Sequence, residues 1–169
     1  GLVLPDQLRT LAEVTEHAPD RLAHITTREN IQIHHFPLAE VGGWMAKLAE
    51  AGLTMREACG NAVRNMTQDP LAGLAPDDVF DTTPWMQAIV RFFLGLPRAQ
   101  NLPRKFKIAF SSSAADRGYA AIHDVGLVAT LTPEGEPAFK VLVAGGLASM
   151  PRSGLCVHEA WPARDILTP

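Results

Sequence analysis

The sequence predicts an α+β fold, and three observations predict it. Apolar residues recur at helical spacing in three windows before residue 95, and after Gly95-Leu96-Pro97 the chain becomes β-rich. Helices and strands also mix without the regular alternation that builds a doubly wound sheet.

The elements follow in order. Leu8, Leu11, Ala12 and Val14 form the first helical stripe, opened by Pro5 in a first turn. Leu22 to Ile33 is rich in Ile and Thr and reads as extended. Val41, Met45 and Leu48 make a second stripe, with Gly52 where the helix stops. After a break at Gly60, Asn61 to Thr67 reads as short and extended, and the Pro, Gly and Asp residues of Asp69 to Asp78 mark a connection. The third helix has the clearest signals: Asp81-Thr82-Thr83-Pro84 supplies a cap and a first-turn proline, and Met86, Ile89, Val90 and Phe93 form its buried stripe. Strands are expected at Phe106 to Ser111, Gly126 to Leu131 and Phe139 to Val143, the last two flanking the turn from Thr132 to Pro137. Gly145-Gly146-Leu147 is expected to end the sheet, and the tail to Pro169 has no decisive pattern.

Composition narrows the function. Of the 169 residues, 47 % are hydrophobic and 20 % charged, so the chain carries enough apolar material for a core and is not disordered. A formal charge of −3 gives no support to general polyanion binding, and a nucleic-acid partner is not expected. No apolar run approaches the roughly 20 residues that span a bilayer, and no basic-then-apolar leader opens the sequence. Cys59 and Cys156 lie far apart, outside any C-x-x-C pair, which argues against a zinc ribbon or disulfide framework and for a cytoplasmic setting. Cys59 reads as a small buried residue and Cys156 as an incidental thiol. Gly1 is not expected to be a native start.

Against this acidic background, Arg104, Lys105 and Lys107 concentrate cation at the start of a strand, and no Asp or Glu occurs from Thr82 through Ala115. In an extended segment Lys105 and Lys107 share one face, and Phe106 and Ile108 take the other. Two ammonium groups on one surface repel unless an anion sits between them. Arg64, between Val63 and Asn65, needs a carboxylate-like partner. A ligand and an internal pairing with Asp69 are equally open. In an extended stretch Arg28, Asn30, Gln32 and His34 line one face, either as a ligand-binding row or as a solvated edge. Adjacent His34 and His35 point to opposite faces of a strand, so no metal site is expected. Gly145 and Gly146 suit either a close approach to a cofactor or a plain turn.

Five blocks extend the reading: Thr26–His34, Ala58–Thr67, Pro70–Gly73, Asn101–Ile108 and Phe139–Leu147. In order and spacing they resemble the successive blocks of the siroheme-dependent sulfite and nitrite reductases, over residues 1 to about 150. The resemblance implies a ferredoxin-like half-domain at 1–53 and a siroheme-reductase-type α+β domain at 54–169, corresponding to the first of the family's two repeats. It implies siroheme and a 4Fe-4S cluster as cofactors and sulfite or nitrite as substrate. It assigns Arg64, Lys105 and Lys107 to the anionic substrate, and Arg28, Gln32, His34, Asn65, Arg104, Gly145 and Gly146 to the macrocycle. Arg28, Arg64, Lys105 and Lys107 are then expected on one concave surface. The four cluster cysteines and a further substrate-facing arginine have no match in these 169 residues, so the chain alone is expected to be inactive. A second repeat or a second copy is its expected partner, and the electron donor is unspecified. The competing expectation is a non-catalytic relative that binds a small anion or tetrapyrrole, or serves in assembly.

Overall fold

A computed structural model describes residues 2–167. The chain divides into two compact units, Gly1–Arg56 and Glu57–Pro169.

In the first unit, α1 (Pro5–His17) and α2 (Leu38–Glu50) flank a hairpin of β1 (Ala23–Ile25) and β2 (Ile31–Ile33). Gln7 closes the start of α1 by accepting the Leu4 N–H at Oε1 (3.0 Å). Its amide donates to Ala51 O (3.2 Å), and Lys47 pairs with Glu13, tying α1 to α2. The expected continuous strand from Leu22 to Ile33 is broken by a turn. Thr26 Oγ1 accepts the N–H groups of Arg28 and Asn30 (3.2 Å each), and this local bonding competes with extended pairing. The α2 stripe also differs by one position. Trp44 packs on His17 and Phe36, with ring centroids 4.8 and 5.8 Å away, and Met45 faces solvent. Gly52, at φ +75°, ends the helix as the sequence indicated.

The second unit is a five-stranded mixed sheet in the order β3-β4-β5-β6-β7. Its strands are β3 (Thr67–Gln68), β4 (Ile108–Ser111), β5 (Val125–Leu131), β6 (Pro137–Val143) and β7 (Leu155–Pro162). The pairings β3–β4 and β4–β5 are parallel and β5–β6 and β6–β7 antiparallel, so β6 runs against the other four. The tail therefore adds a strand instead of leaving the sheet closed at Gly145-Gly146-Leu147. On one face α3 (Thr83–Leu94) lays Trp85, Met86, Ile89, Val90 and Phe93 over Phe110, Leu127 and Phe139. Asp81 accepts the Thr83 N–H at 2.9 Å and sets the start of this helix. Phe139 is fully buried, with the rings of Phe80, Phe110 and Trp85 5.4, 5.6 and 6.2 Å away. On the other face, Ala109, Val128 and Leu142 meet Ala120 and Ala121 of a short helical turn. A Cβ on Gly126 would lie 2.3 Å from Ala120 O, so only glycine admits that turn.

At the C-terminal ends of β3 and β4 the loops are joined by ion pairs. Asp69 is fully buried, and Arg117 Nε lies 3.0 Å from its Oδ2. The same guanidinium bonds Asp77 at 2.8 Å and Asp78 at 3.1 Å, and Ser112 Oγ approaches Asp69 and Asp78 at 2.9 and 2.5 Å. The Arg117 hydrogen bond holds the Asp77 carboxyl below its ordinary value.

Two outcomes follow from this packing. Phe139→Ala removes the ring at the centre of the aromatic cluster and is expected to cost about 3–5 kcal/mol in urea unfolding of the second unit. Asp77 stays ionised in the folded state where an unfolded chain already binds protons. Its stabilisation is therefore present above the ordinary value of 3.8 and is lost as pH falls through the lower folded value. Asp77→Asn is expected to flatten this part of the acid limb in thermal melts between neutral pH and pH 3.

Candidate functional site

The candidate residues of the second unit meet at one end of its sheet. The register Ile108↔Val125, Val125↔Val143 and Val143↔Leu155 aligns the starts of β4, β5 and β7 with the finish of β6. Lys107 immediately precedes β4, Asn65 lies just before β3, and Gly145 and Gly146 just follow β6. Strands are about 4.8 Å apart, so Lys107 and the glycine pair, separated by β5, lie about 10 Å from each other.

Main-chain bonds bring the Arg64 segment to the lysines. Val63 pairs with Phe106 in a parallel bridge, with Arg64 N–H on Phe106 O (2.8 Å) and Phe106 N–H on Ala62 O (3.1 Å). Leu102 N–H donates to Asn61 O (2.8 Å) and Val63 N–H to Ala99 O (3.1 Å). The bridge directs Val63 and Phe106 into the core and leaves Arg64 and Lys107 as lateral neighbours on adjoining segments. Phe106 and Ile108 are taken up by the core, Lys107 is half-buried and Lys105 exposed, in line with the alternation read from sequence. Regular pairing begins at Ile108 instead of Phe106, because the partner segment offers only an isolated bridge there.

Arg64 does not pair with Asp69, whose carboxylate is held by Arg117. The half-buried Arg64 guanidinium instead donates to two main-chain carbonyls, Nη1 to Ala58 O (2.8 Å) and Nε to Gly60 O (3.1 Å). Two neutral acceptors leave its charge without a carboxylate at either contact. Arg104 is exposed and Asn65 half-buried. Arg152 is an addition that sequence reading did not single out. It is exposed at the same end of the sheet, where its N–H and C=O each bond Gly146 at 2.9 Å. Asp124 was also missed: its Oδ2 accepts the Lys107 N–H at 2.7 Å, so β5 brings a carboxylate to a segment without acids of its own.

In the first unit Gln32 is exposed in β2, His34 is exposed beyond its end, and Arg28 is half-buried in the hairpin turn. The turn removes Arg28 and Asn30 from the single-faced row expected of an unbroken strand. The His34 and His35 rings stand 5.9 Å apart. Among the described residues no group of three or more His, Cys, Asp or Glu is arranged to hold a metal ion. Cys59 is exposed, not buried, because its segment runs over the surface before the Val63 bridge; Cys156 is exposed as well.

The two glycines separate into different roles. A Cβ on Gly145 would fall 2.3 Å from Ala121 O and 2.7 Å from His123 O, so protein packing accounts for its missing side chain. A Cβ on Gly146 would meet nothing within 4 Å. Gly145→Ala is therefore expected to lower the melting temperature by several degrees and Gly146→Ala to leave it nearly unchanged, as checked by thermal denaturation.

Comparison with known proteins agrees with this architecture. Residues 59–168 match the nitrite and sulphite reductase 4Fe-4S domain, and residues 1–51 the nitrite/sulfite reductase ferredoxin-like half domain. Sulfite reductase [ferredoxin] 1 of Mycolicibacterium paratuberculosis is 39 % identical over 145 residues, covering 85 % of this chain and 26 % of that protein. Ferredoxin–nitrite reductase of Leptolyngbya laminosa is 32 % identical over 173 residues, covering 99 % of this chain and 34 % of that protein. The structure of Mycobacterium tuberculosis NirA superimposes with a TM-score of 0.86 at 33 % identity, over 95 % of this chain and 29 % of that one. Dissimilatory sulfite reductase I shares the fold, with a TM-score of 0.78 at 9 % identity. The chain thus spans about a quarter to a third of the length of the curated relatives it matches. With both units accounted for by adjoining models of one family, the chain belongs to the nitrite and sulfite reductases.

Proposed function

We propose that this chain forms part of a siroheme- and 4Fe-4S-dependent reductase of sulfite or nitrite, to which it contributes the cationic side of the oxyanion site. The family carries both cofactors. The observation that supports the reading most directly is the gathering of Arg64, Lys107 and Gly146 at one end of a single sheet, from segments as much as eighty residues apart in sequence. We assign residues 1–53 to the half-domain and 54–169 to the siroheme-type domain.

The donor set suits a carboxylate-rich macrocycle. Arg64, Arg104, Lys105, Lys107 and Arg152 supply cations there, and Gly146 leaves open space above its Cα. In this reading Arg104, Asn65 and Gly146 hold the macrocycle, and Gly145 keeps the adjoining turn in place. When bound, siroheme supplies the electrons and the coordination position for the substrate. Arg64, Lys105 and Lys107 then neutralise the oxyanion. Each oxygen removed takes two protons to leave as water, and this reading gives their delivery to the lysine ammonium groups.

The cluster does not fit on these residues alone. A 4Fe-4S cluster takes four thiolates, and the sequence has two cysteines, both exposed and far apart in sequence. The reading therefore requires a second repeat, or a second copy of this chain, to complete the enzyme. Ferredoxin is the proposed donor, since the matched relatives carry it in their names. The exposed thiols suit a reducing compartment, and we place the enzyme in the cytoplasm. Among the described residues no helix is long and apolar enough to cross a membrane.

The test is steady-state reduction by the full-length parent. Lys105→Met and Lys107→Met keep aliphatic length but remove charge and proton donors. Each is expected to lower kcat by about 10²-fold with an unchanged melting temperature. The 169-residue chain alone is expected to show no turnover with an artificial electron donor. Full activity in Lys107→Met, or turnover by the isolated chain, would overturn the assignment.

A further inference from the structure

We propose that Asp124 is a positioning residue of the oxyanion site, fixing Lys107 on one side and the Ala144–Gly146 segment on the other. This rests on the reading of Lys107 given above and deepens it. Asp124 Oδ2 accepts the Lys107 N–H at 2.7 Å, and the next residue, Val125, donates its N–H to Lys107 O at 3.1 Å. Both polar groups of the Lys107 backbone are thus gripped by two consecutive residues at the start of β5. The same corner grips the chain leaving β6: Asp124 O accepts the Ala144 N–H at 2.9 Å, and His123 O accepts the Gly145 N–H at 3.0 Å.

A side-chain acceptor is needed here for a geometrical reason. In a regular parallel ladder the Lys107 N–H would reach the main-chain carbonyl two residues before Val125, which is His123 O. That carbonyl is turned toward Gly145 instead. The Asp124 side chain replaces it, and a bond to an ionised acceptor is shorter and stronger than the amide–amide bond it supplants. The arrangement makes one residue set the separation between the lysine and the glycine pair. It also places a carboxylate against the Lys107 main chain, in a segment that has no acid of its own.

The experiment uses the full-length parent loaded with its cofactors, with sulfite as the probe. Two measurements are made: sulfite affinity from the change in the siroheme absorption spectrum, and kcat/KM. Siroheme content and thermal melts report folding. Asp124→Ala removes the acceptor and is expected to weaken sulfite binding and lower kcat/KM by about tenfold or more, since small misplacements of a site residue carry losses of this order. Asp124→Asn keeps an acceptor oxygen and is expected to stay within about threefold of wild type. The decisive comparison is the double variant. If Asp124 acts through Lys107, Asp124→Ala adds little loss in a Lys107→Met background, whereas a general structural role gives losses that add.

Additive losses, or wild-type binding and turnover in Asp124→Ala, would overturn the proposal. If Asp124→Ala does not accumulate, Asp124→Asn decides. A folded Asn variant near wild type supports the positioning bond, and one as impaired as Lys107→Met overturns it. Should Lys107→Met itself leave sulfite binding and turnover intact, the reading of the site fails first. A damaging Lys107→Met with a harmless Asp124→Ala sinks only this inference.

Discussion

The second unit depends on a buried ion pair that its sequence does not announce. Asp69 is fully buried, and an unpaired carboxylate there would cost several kcal/mol. Arg117 meets that charge and reaches on to Asp77 and Asp78, so the two loops that follow β3 and β4 are held against the finishing ends of those strands. This matters because β3 contributes only Thr67 and Gln68 to the ladder. Two residues of parallel pairing cannot define a register alone. They are fixed from outside, by the Arg117 knot at one end and by the bridge between Val63 and Phe106 at the other.

The sheet therefore uses its two ends differently. In open parallel sheets ligands commonly sit beyond the carboxyl ends of the strands. Here that end of β3 and β4 is filled by internal ion pairs and by hydroxyl groups of Ser111 and Ser112 bonded to aspartates. The amino end carries the arginines and lysines, with Arg64 satisfied by main-chain carbonyls instead of acids. One end is closed by its own charges, and the other keeps cationic groups at a surface.

Much of this was legible in the sequence where local patterning decides. The third helix was read correctly because Asp81, Pro84 and an apolar stripe agree, and the lysine segment because Phe106 and Ile108 alternate with Lys105 and Lys107. The second helix was misphased since Trp44 and Met45 are adjacent and both apolar, and only aromatic packing chooses between them. β7 escaped notice because its residues are mostly exposed and carry no clean alternation. Arg117 and Asp124 were missed for a common reason. Each acts on a partner distant in sequence, 48 and 17 positions away, and a stretch of chain free of acids says nothing about which acids a neighbouring strand delivers.

The separation of charge along this sheet has a consequence for how an anion arrives. The chain is net negative, at −3, which by itself would repel small anions. Asp69, Asp77, Asp78 and Asp116 outnumber Arg117 at one end, and Arg64, Arg104, Lys105, Lys107 and Arg152 outnumber Asp124 at the other, so these groups give the second unit a lengthwise dipole. The field of such a dipole draws small anions toward the cationic end over distances comparable to the screening length, about 8 Å at physiological salt. The attraction felt by an anion near that end is then set by orientation and ionic strength, not by the overall sign of the chain.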